Sequence, residues 1–254
     1  MSARPEPALY RHSARFFVLF LALTLWAFWP SYFARLFDQP NLWFHAHGIV
    51  LALWLLLLVV QAQLIRTRRR VWHRRLGKVS FVLAPAVVLV TAVFVHQRVG
   101  GGVDAATLEA LPALPSAVLT SLALMLLSLV SFAVLYGLAI AARREPLTHA
   151  RWMVCTVFPL FTPVTDRLIA AHLPSLVPFM PQIEGRPILP VAGFAAADLI
   201  LIALAWWDWG AHGRRDVFPV ALAVLLLYHL GTLTLHRVPL WNAFGVWFLG
   251  LPLP

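Results

Sequence analysis

The chain has 254 residues, of which 61% are hydrophobic and 12% charged, with a formal net charge of +10. A mean hydropathy of +0.81 excludes an ordinary soluble domain, and long apolar runs without alternation exclude a transmembrane β-barrel. The arginines cluster in short segments between apolar runs, which excludes a nucleic-acid partner as their explanation and favours membrane topology. The composition therefore predicts an all-α, polytopic transmembrane helical bundle.

Apolar runs recur along the whole chain at the length that a membrane-spanning helix needs, about 20 residues. We predict about seven spans, at 14–36, 46–65, 78–97, 114–142, 149–172, 188–208 and 216–237. The first run is longer than the apolar region of a signal peptide, so we interpret it as an uncleaved helix. A cytoplasmic segment (1–13) precedes this domain (14–237), and an apolar, Trp-rich tail (238–254) follows it, expected to lie in the membrane interface.

Lysine and arginine are concentrated in the loops after the second, fourth and sixth predicted spans. Because cytoplasmic loops carry the excess of these residues, we predict a cytoplasmic N-terminus and an outer C-terminus. The expected location is the inner membrane of a bacterium. Guanidinium groups match phosphate oxygens in shape and charge, so Arg74, Arg75 and Arg151 are predicted to contact anionic lipid headgroups.

Nearly all of the ten histidines lie close to a predicted span boundary. The stretches VWHRRLGK (71–78) and LTHARWMV (147–154) place His73 and His149 at the cytoplasmic entrances of the third and fifth spans. Four others lie near the outer boundary: His45, His47, His96 and His172. Two opposed histidine layers suit two haems or a proton path, whereas simple anchoring of amphipathic imidazoles at the interface is the alternative.

The histidine layers define two possible cofactors. In one interpretation, His73 and His149 ligate an inner b-type haem, and His47 with His96 or His172 ligates an outer one. In the other, a metal ion binds the closely spaced pair formed by His47 and its neighbour two residues earlier, His45. Both interpretations stay open from the residues alone.

Span two carries a polar and aromatic stripe on a leucine-rich helix. His47, Trp54 and Gln61 are spaced by seven residues, which keeps them close to one line along the helix. We expect this stripe to point into the bundle. A buried Gln61 needs hydrogen-bond partners there.

Spans five, six and seven contain ionisable side chains at membrane depth. Span five includes FTPVTDRLIAAH, with two prolines that predict a kink and with Asp166 and Arg167. Asp198 is the deepest acid, and His229 lies in span seven. A charge at such depth is costly unless it is paired or solvated, so these groups predict either a functional polar pocket or a structural ion pair.

The stretches FHAHGIVLALWLLLLVVQAQL, HRRLGKVS and THARWMV, followed by TDRL, resemble a family of small, uncharacterised bacterial multi-helix membrane proteins. They are also similar, more distantly, to the DUF2306 family, although Ala150 stands where those proteins usually have a second basic residue. The resemblance covers roughly residues 40–210 and implies an architecture rather than a reaction. It marks these positions as important: His47, Trp54, Gln61, His73, His149, Arg167 and Asp198.

The leading functional hypothesis is an outer-facing pocket that binds a small ligand, a metal ion or a proton. Its proposed lining is His47, Trp54, Gln61, Asp166, Arg167, Asp198 and His229. A haem-binding electron-transfer protein is the alternative, and a non-catalytic partner within a larger membrane complex is a third. Whether the chain is an enzyme stays open.

Overall fold

The computed structural model describes residues 7–38, 41–101 and 114–253, with side chains from residue 12 onward. Within these ranges the chain is an all-α helical bundle, as the composition predicts. Its α-helices are α1 (Pro7–Phe28), α2 (Leu42–Arg66), α3 (Arg70–Gly77), α4 (Ser80–Gly100), α5 (Ser116–Ala141), α6 (Pro146–Cys155), α7 (Phe161–His172), α8 (Pro190–His212), α9 (Phe218–Thr234) and α10 (Pro239–Leu249).

Among the described residues, six helical segments are long and apolar enough to cross a membrane. They are Leu42–Arg66, Arg70–Gly100, Ser116–Ala141, Pro146–His172, Pro190–His212 and Phe218–Arg237. The six correspond to the second to seventh predicted spans, so a multi-pass helical membrane protein is confirmed.

The first predicted span ends earlier in the structure than in the prediction. Helix α1 ends at Phe28 rather than near residue 36, and a 3₁₀-helix, Phe33–Asp38, follows after a turn. Pro30 explains the early end, because a proline disfavours helical backbone in the residue before it and cannot donate to the helix.

Span five is interrupted where its prolines lie. Helix α6 ends at Cys155, a 3₁₀ segment occupies Phe158–Leu160, and α7 continues from Phe161. A proline lacks the amide hydrogen that an α-helix needs, so the predicted kink at Pro159 is present.

Two polar contacts show which loops share an end of the bundle. Arg214 Nη2 donates to Thr148 Oγ1 at 2.8 Å, which joins the loop after α8 to the first turn of α6. Asn41 Nδ2 donates to Gln97 Oε1 at 2.6 Å, which joins the start of α2 to the end of α4. We name the first the basic end, because the arginine-rich loops meet there, and the second the opposite end.

The C-terminal tail forms α10, which packs against α4 and α5 at the opposite end. Asn242 Oδ1 accepts from the Leu114 amide at 2.7 Å, and Trp241 Nε1 donates to the Leu119 carbonyl at 3.1 Å. Gly245 permits this contact, since a Cβ there would lie 3.0 Å from the Leu114 side chain. The tail is thus part of the packed fold, and its predicted place in the interface stays a prediction.

Candidate functional site

The stripe on α2 faces the interior of the bundle. Trp54 is fully buried, and Gln61 is only 9% exposed. His47 stacks on Phe94 with ring centroids 4.1 Å apart, and its Nδ1 lies 3.1 Å from Thr91 Oγ1. The stripe runs from the opposite end to the basic end, so its three members do not meet in one pocket.

Asp166 and Arg167 lie in α7, near the opposite end. Adjacent positions on a helix point in different directions, and these two side chains have different surroundings. Arg167 donates to the Pro163 carbonyl at 3.2 Å, and its guanidinium carbon lies 4.5 Å from the centre of the Phe28 ring. Asp166 Oδ1 is buried and has no hydrogen-bond partner among the described residues. Arg167 also lies close enough to His47 to act on it electrostatically.

Asp198 finds a partner across the α8 and α9 interface. Its Oδ2 lies 3.1 Å from His229 Nδ1, and Phe194 stacks on the same imidazole at 4.0 Å. The structure therefore places His229 beside this acid.

The five charged or titratable residues of the predicted pocket form two groups. In the first group, Arg167 acts electrostatically on His47 of α2 and follows Asp166 in α7. In the second, Asp198 of α8 pairs with His229 of α9. Tyr228 lies between the groups: the charge of Asp166 acts on it, and its ring is 4.9 Å from that of His229. The single pocket of the prediction is thus two adjoining polar groups, while Trp54 and Gln61 lie nearer the basic end.

The two histidines of the repeated motif both lie at the basic end. His73 lies in α3 and His149 in α6, and the charge of His149 acts on His73. His149 Nδ1 donates to the Ala139 carbonyl at 2.8 Å, so its other ring nitrogen, Nε2, takes no part in this bond.

The outer histidines pack against different aromatic side chains. His96 packs edge-on against Phe248, His172 packs against Trp26, and the ring of His47 lies on Phe94. The outer haem formed by His47 with His96 or His172 stays a prediction.

The two histidines of the predicted metal site, His45 and His47, have their ring nitrogens directed at different partners. His45 Nδ1 lies 3.1 Å from the Tyr32 hydroxyl, whereas His47 turns toward Thr91 on α4. In the described part of the chain, no group of three or more His, Cys, Asp or Glu side chains could hold a metal ion.

Arg151 lies in the interior of the bundle and not at the membrane surface, where we predict it from the sequence. We predicted a lipid headgroup contact, but the side chain is 0% exposed and forms a bidentate ion pair with Asp208 on α8. Its Nε lies 2.8 Å from Oδ2 and its Nη2 lies 2.6 Å from Oδ1. A guanidinium matches a carboxylate as well as a phosphate, and the bundle supplies the carboxylate.

Asp208 is the polar residue that the sequence prediction missed. It also accepts from His212 one helical turn later, at 2.9 Å between Oδ1 and Nδ1. The sequence did contain a signal for this interaction, because Asp208 is followed four positions later by a histidine near the end of an apolar helix. Arg74 and Arg75 are exposed, so their predicted headgroup contact stays a prediction.

A second ion pair lies on the surface of the basic end. Arg214 donates from Nε to Asp216 Oδ1 at 3.1 Å, and this hydrogen bonding holds the pKa of the Asp216 carboxyl below its usual value. Half of the Asp216 side chain is exposed, so solvent screens most of the interaction.

Comparison with known proteins adds no relative. Neither the models of protein families, nor the curated proteins, nor the solved structures contain a match to this chain. The function is therefore argued from the polar groups themselves.

Proposed function

We propose that the protein is an integral membrane protein that binds and releases a proton at the polar group of His47, Asp166 and Arg167. One observation carries the proposal: within the described chain, the buried Oδ1 of Asp166 has no hydrogen-bond partner, although it lies inside a membrane span. Such an oxygen gains most from holding a proton, because an ionised carboxylate is costly in an apolar medium.

The neighbours of Asp166 support exchange of this proton. Arg167 donates to the Pro163 carbonyl and lies over the Phe28 ring. Its positive charge therefore acts on the Asp166 carboxylate from nearby, while its hydrogen bond goes to the backbone. His47 supplies a second titratable group within reach of the same field. The pair of Asp198 and His229 adjoins through Tyr228 and gives a further acceptor.

Infrared spectroscopy tests this proposal directly. The carboxylic C=O stretch of purified protein in liposomes is followed while pH is varied, for wild type and for Asp166→Asn. We expect a titrating band in wild type that the variant lacks. Asp38→Asn is the matched control, because Asp38 is exposed, and it should leave that band in place. A wild-type spectrum identical to that of Asp166→Asn would contradict the proposal.

An inner b-type haem is the second candidate, favoured by the location of both His73 and His149 at the basic end. The bond from His149 to the Ala139 carbonyl orients the ring, as it commonly does for metal-ligating histidines. Haemin added to the purified protein should then produce a Soret band that His149→Ala and His73→Ala each abolish. A spectrum that is the same for wild type and both variants would eliminate this candidate.

We also propose that the chain is a distant relative of the DUF2306 membrane proteins. The His-Arg and His-x-Arg-Trp elements that carry the resemblance contain the same two histidines, His73 and His149, and both elements lie at the basic end. In true relatives, we expect these two positions to be retained together or replaced together.

A further inference from the structure

The outer surface of α8 carries an acid beside a stripe of exposed apolar residues. Helix α8 is one of the membrane-spanning segments, and its Leu199, Ile202 and Trp206 side chains are exposed. They recur at intervals of three and four residues, so they form one stripe along the helix. Asp198 lies at the edge of this stripe, and its side chain is 20% exposed. A carboxyl group therefore borders a surface that lipid tails would otherwise cover.

The depth of Asp198 makes this exposure unusual. The residue follows the start of α8 at Pro190 by eight positions, which places it about 12 Å along the helix and close to the middle of the span. On its inner side, Asp198 Oδ2 lies 3.1 Å from Nδ1 of the buried His229 on α9. An acid at such depth normally faces protein or water and not lipid. The position of Asp198 thus indicates that another protein surface covers it.

The surroundings of Asp198 are suited to a second helix. Ala195 and Ala203 are exposed on the same side of α8, and their short side chains allow a neighbouring helix to approach closely. On α9, the exposed Leu226 and Leu230 flank this region. Apart from Asp198, the surface is apolar, so its partner needs an apolar face with one polar group at the same depth.

We propose that this face of α8 and α9 is the interface between two copies of the chain in the membrane, with their Asp198 side chains in contact. Copies that insert with the same topology have parallel α8 helices. A two-fold axis along the membrane normal therefore brings Asp198 against the same residue of the second copy, at the same depth. A carboxylic acid is its own hydrogen-bond complement, because it has both a donor and an acceptor.

Other occupants match this surface less well. A lipid tail has no donor or acceptor, so it would leave the exposed part of the carboxyl group without a bond. A different membrane protein would have to carry its own polar group at this depth, whereas a second copy always does. The interface leaves Asp166 of α7 in place, so the proposal goes beyond proton binding and does not depend on it.

Cysteine cross-linking in liposomes tests the interface without changing Asp198. Ala195→Cys and Ile202→Cys lie one turn before and one turn after this acid, and each is introduced with Cys155→Ala into the full-length chain. Both should form disulfide-linked dimers on mild oxidation. Leu53→Cys, exposed on α2, is the matched control and should stay monomeric. Equal cross-linking at all three positions would overturn the proposal, as would none at the two positions on α8.

Energy transfer between labelled copies in liposomes tests the part played by the carboxyl group. The dyes are attached at Arg144→Cys, an exposed position at the basic end, and the protein-to-lipid ratio is varied. Asp198→Leu should weaken self-association about tenfold, because the contact loses its hydrogen bonds. Asp198→Asn should retain it, since a carboxamide also has a donor and an acceptor.

Asp38→Leu is the control for loss of an acid, because Asp38 is exposed outside the spanning segments, and it should associate as wild type does. Self-association of Asp198→Leu that equals that of wild type would overturn the proposal. So would wild-type protein that shows no energy transfer at any ratio, or one that pairs only with a different membrane protein.

Discussion

Two pairs of an acid and an arginine lie within membrane spans, and their environments differ. At the basic end, Arg151 and Asp208 lie on different helices and satisfy each other through two short hydrogen bonds. Near the opposite end, Asp166 and Arg167 are consecutive residues, and Arg167 bonds to a backbone carbonyl instead. A carboxylate that is fully paired holds helices together, whereas one with a free oxygen is available for chemistry.

Breaking the basic-end pair should give the largest effect of any single change considered. Asp208→Asn leaves the guanidinium of the fully buried Arg151 without its counter-ion, so we expect a loss of about 3–5 kcal/mol in the free energy of unfolding. Equilibrium unfolding in mixed detergent micelles measures it. The double variant Arg151→Met with Asp208→Leu should recover most of the loss, because both charges are then removed. A single variant as stable as wild type would show that the pair does not hold the bundle together.

Helices α7 and α8 lie very close together, and this packing determines the surroundings of Asp166. A Cβ on Gly193 would lie 2.8 Å from Thr162 Cα and would clash with Thr165 Oγ1. Gly193→Ala should therefore cost about 1–3 kcal/mol of unfolding free energy by forcing the helices apart. Gly210→Ala is the control in the same helix, where nothing lies within 4 Å, and it should be neutral or slightly stabilising. Equal behaviour of the two variants would contradict the close-packing argument.

Removing the charge at the opposite end should have a small effect on stability. Asp166→Asn breaks no hydrogen bond to Oδ1, so we expect a change within about 1 kcal/mol of wild type, measured under the same unfolding conditions. The contrast with Asp208→Asn is the critical result. A loss as large as that of Asp208→Asn would mean that Asp166 is a structural partner and not a proton site.

The exposed pair of Arg214 and Asp216 should give the smallest effect. The folded-state pKa of Asp216 is lowered by Arg214, so its stabilising contribution is present above the unfolded pKa and is lost as the pH falls through the folded one. Because the pair is solvent-exposed, we expect a few tenths of a kcal/mol at most. The unfolding midpoint of Asp216→Asn should differ slightly from wild type at neutral pH, and the difference should vanish in acid. A difference that grows in acid would reverse the sign of this argument.

Much of the architecture could be predicted because it follows from local composition. Apolar runs of spanning length identified all six long membrane segments, and Pro159 marked the break within Pro146–His172. The end of the first span was predicted too late, since the apolar pattern continues past Pro30 while the helix ends at Phe28. Hydropathy indicates which side chains are stable in lipid. The helix, however, ends where proline prevents helical backbone geometry.

The sequence by itself determined that this is a multi-pass helical membrane protein and which of its polar residues lie at membrane depth. Only the tertiary structure decided which of them meet: Asp208 reaches Arg151, His229 reaches Asp198, and Gln61 remains beside Gly77. The reason is physical. Spacing along one helix fixes the direction of a side chain, but the partner comes from another helix, and its rotation and depth are set by packing across the whole bundle.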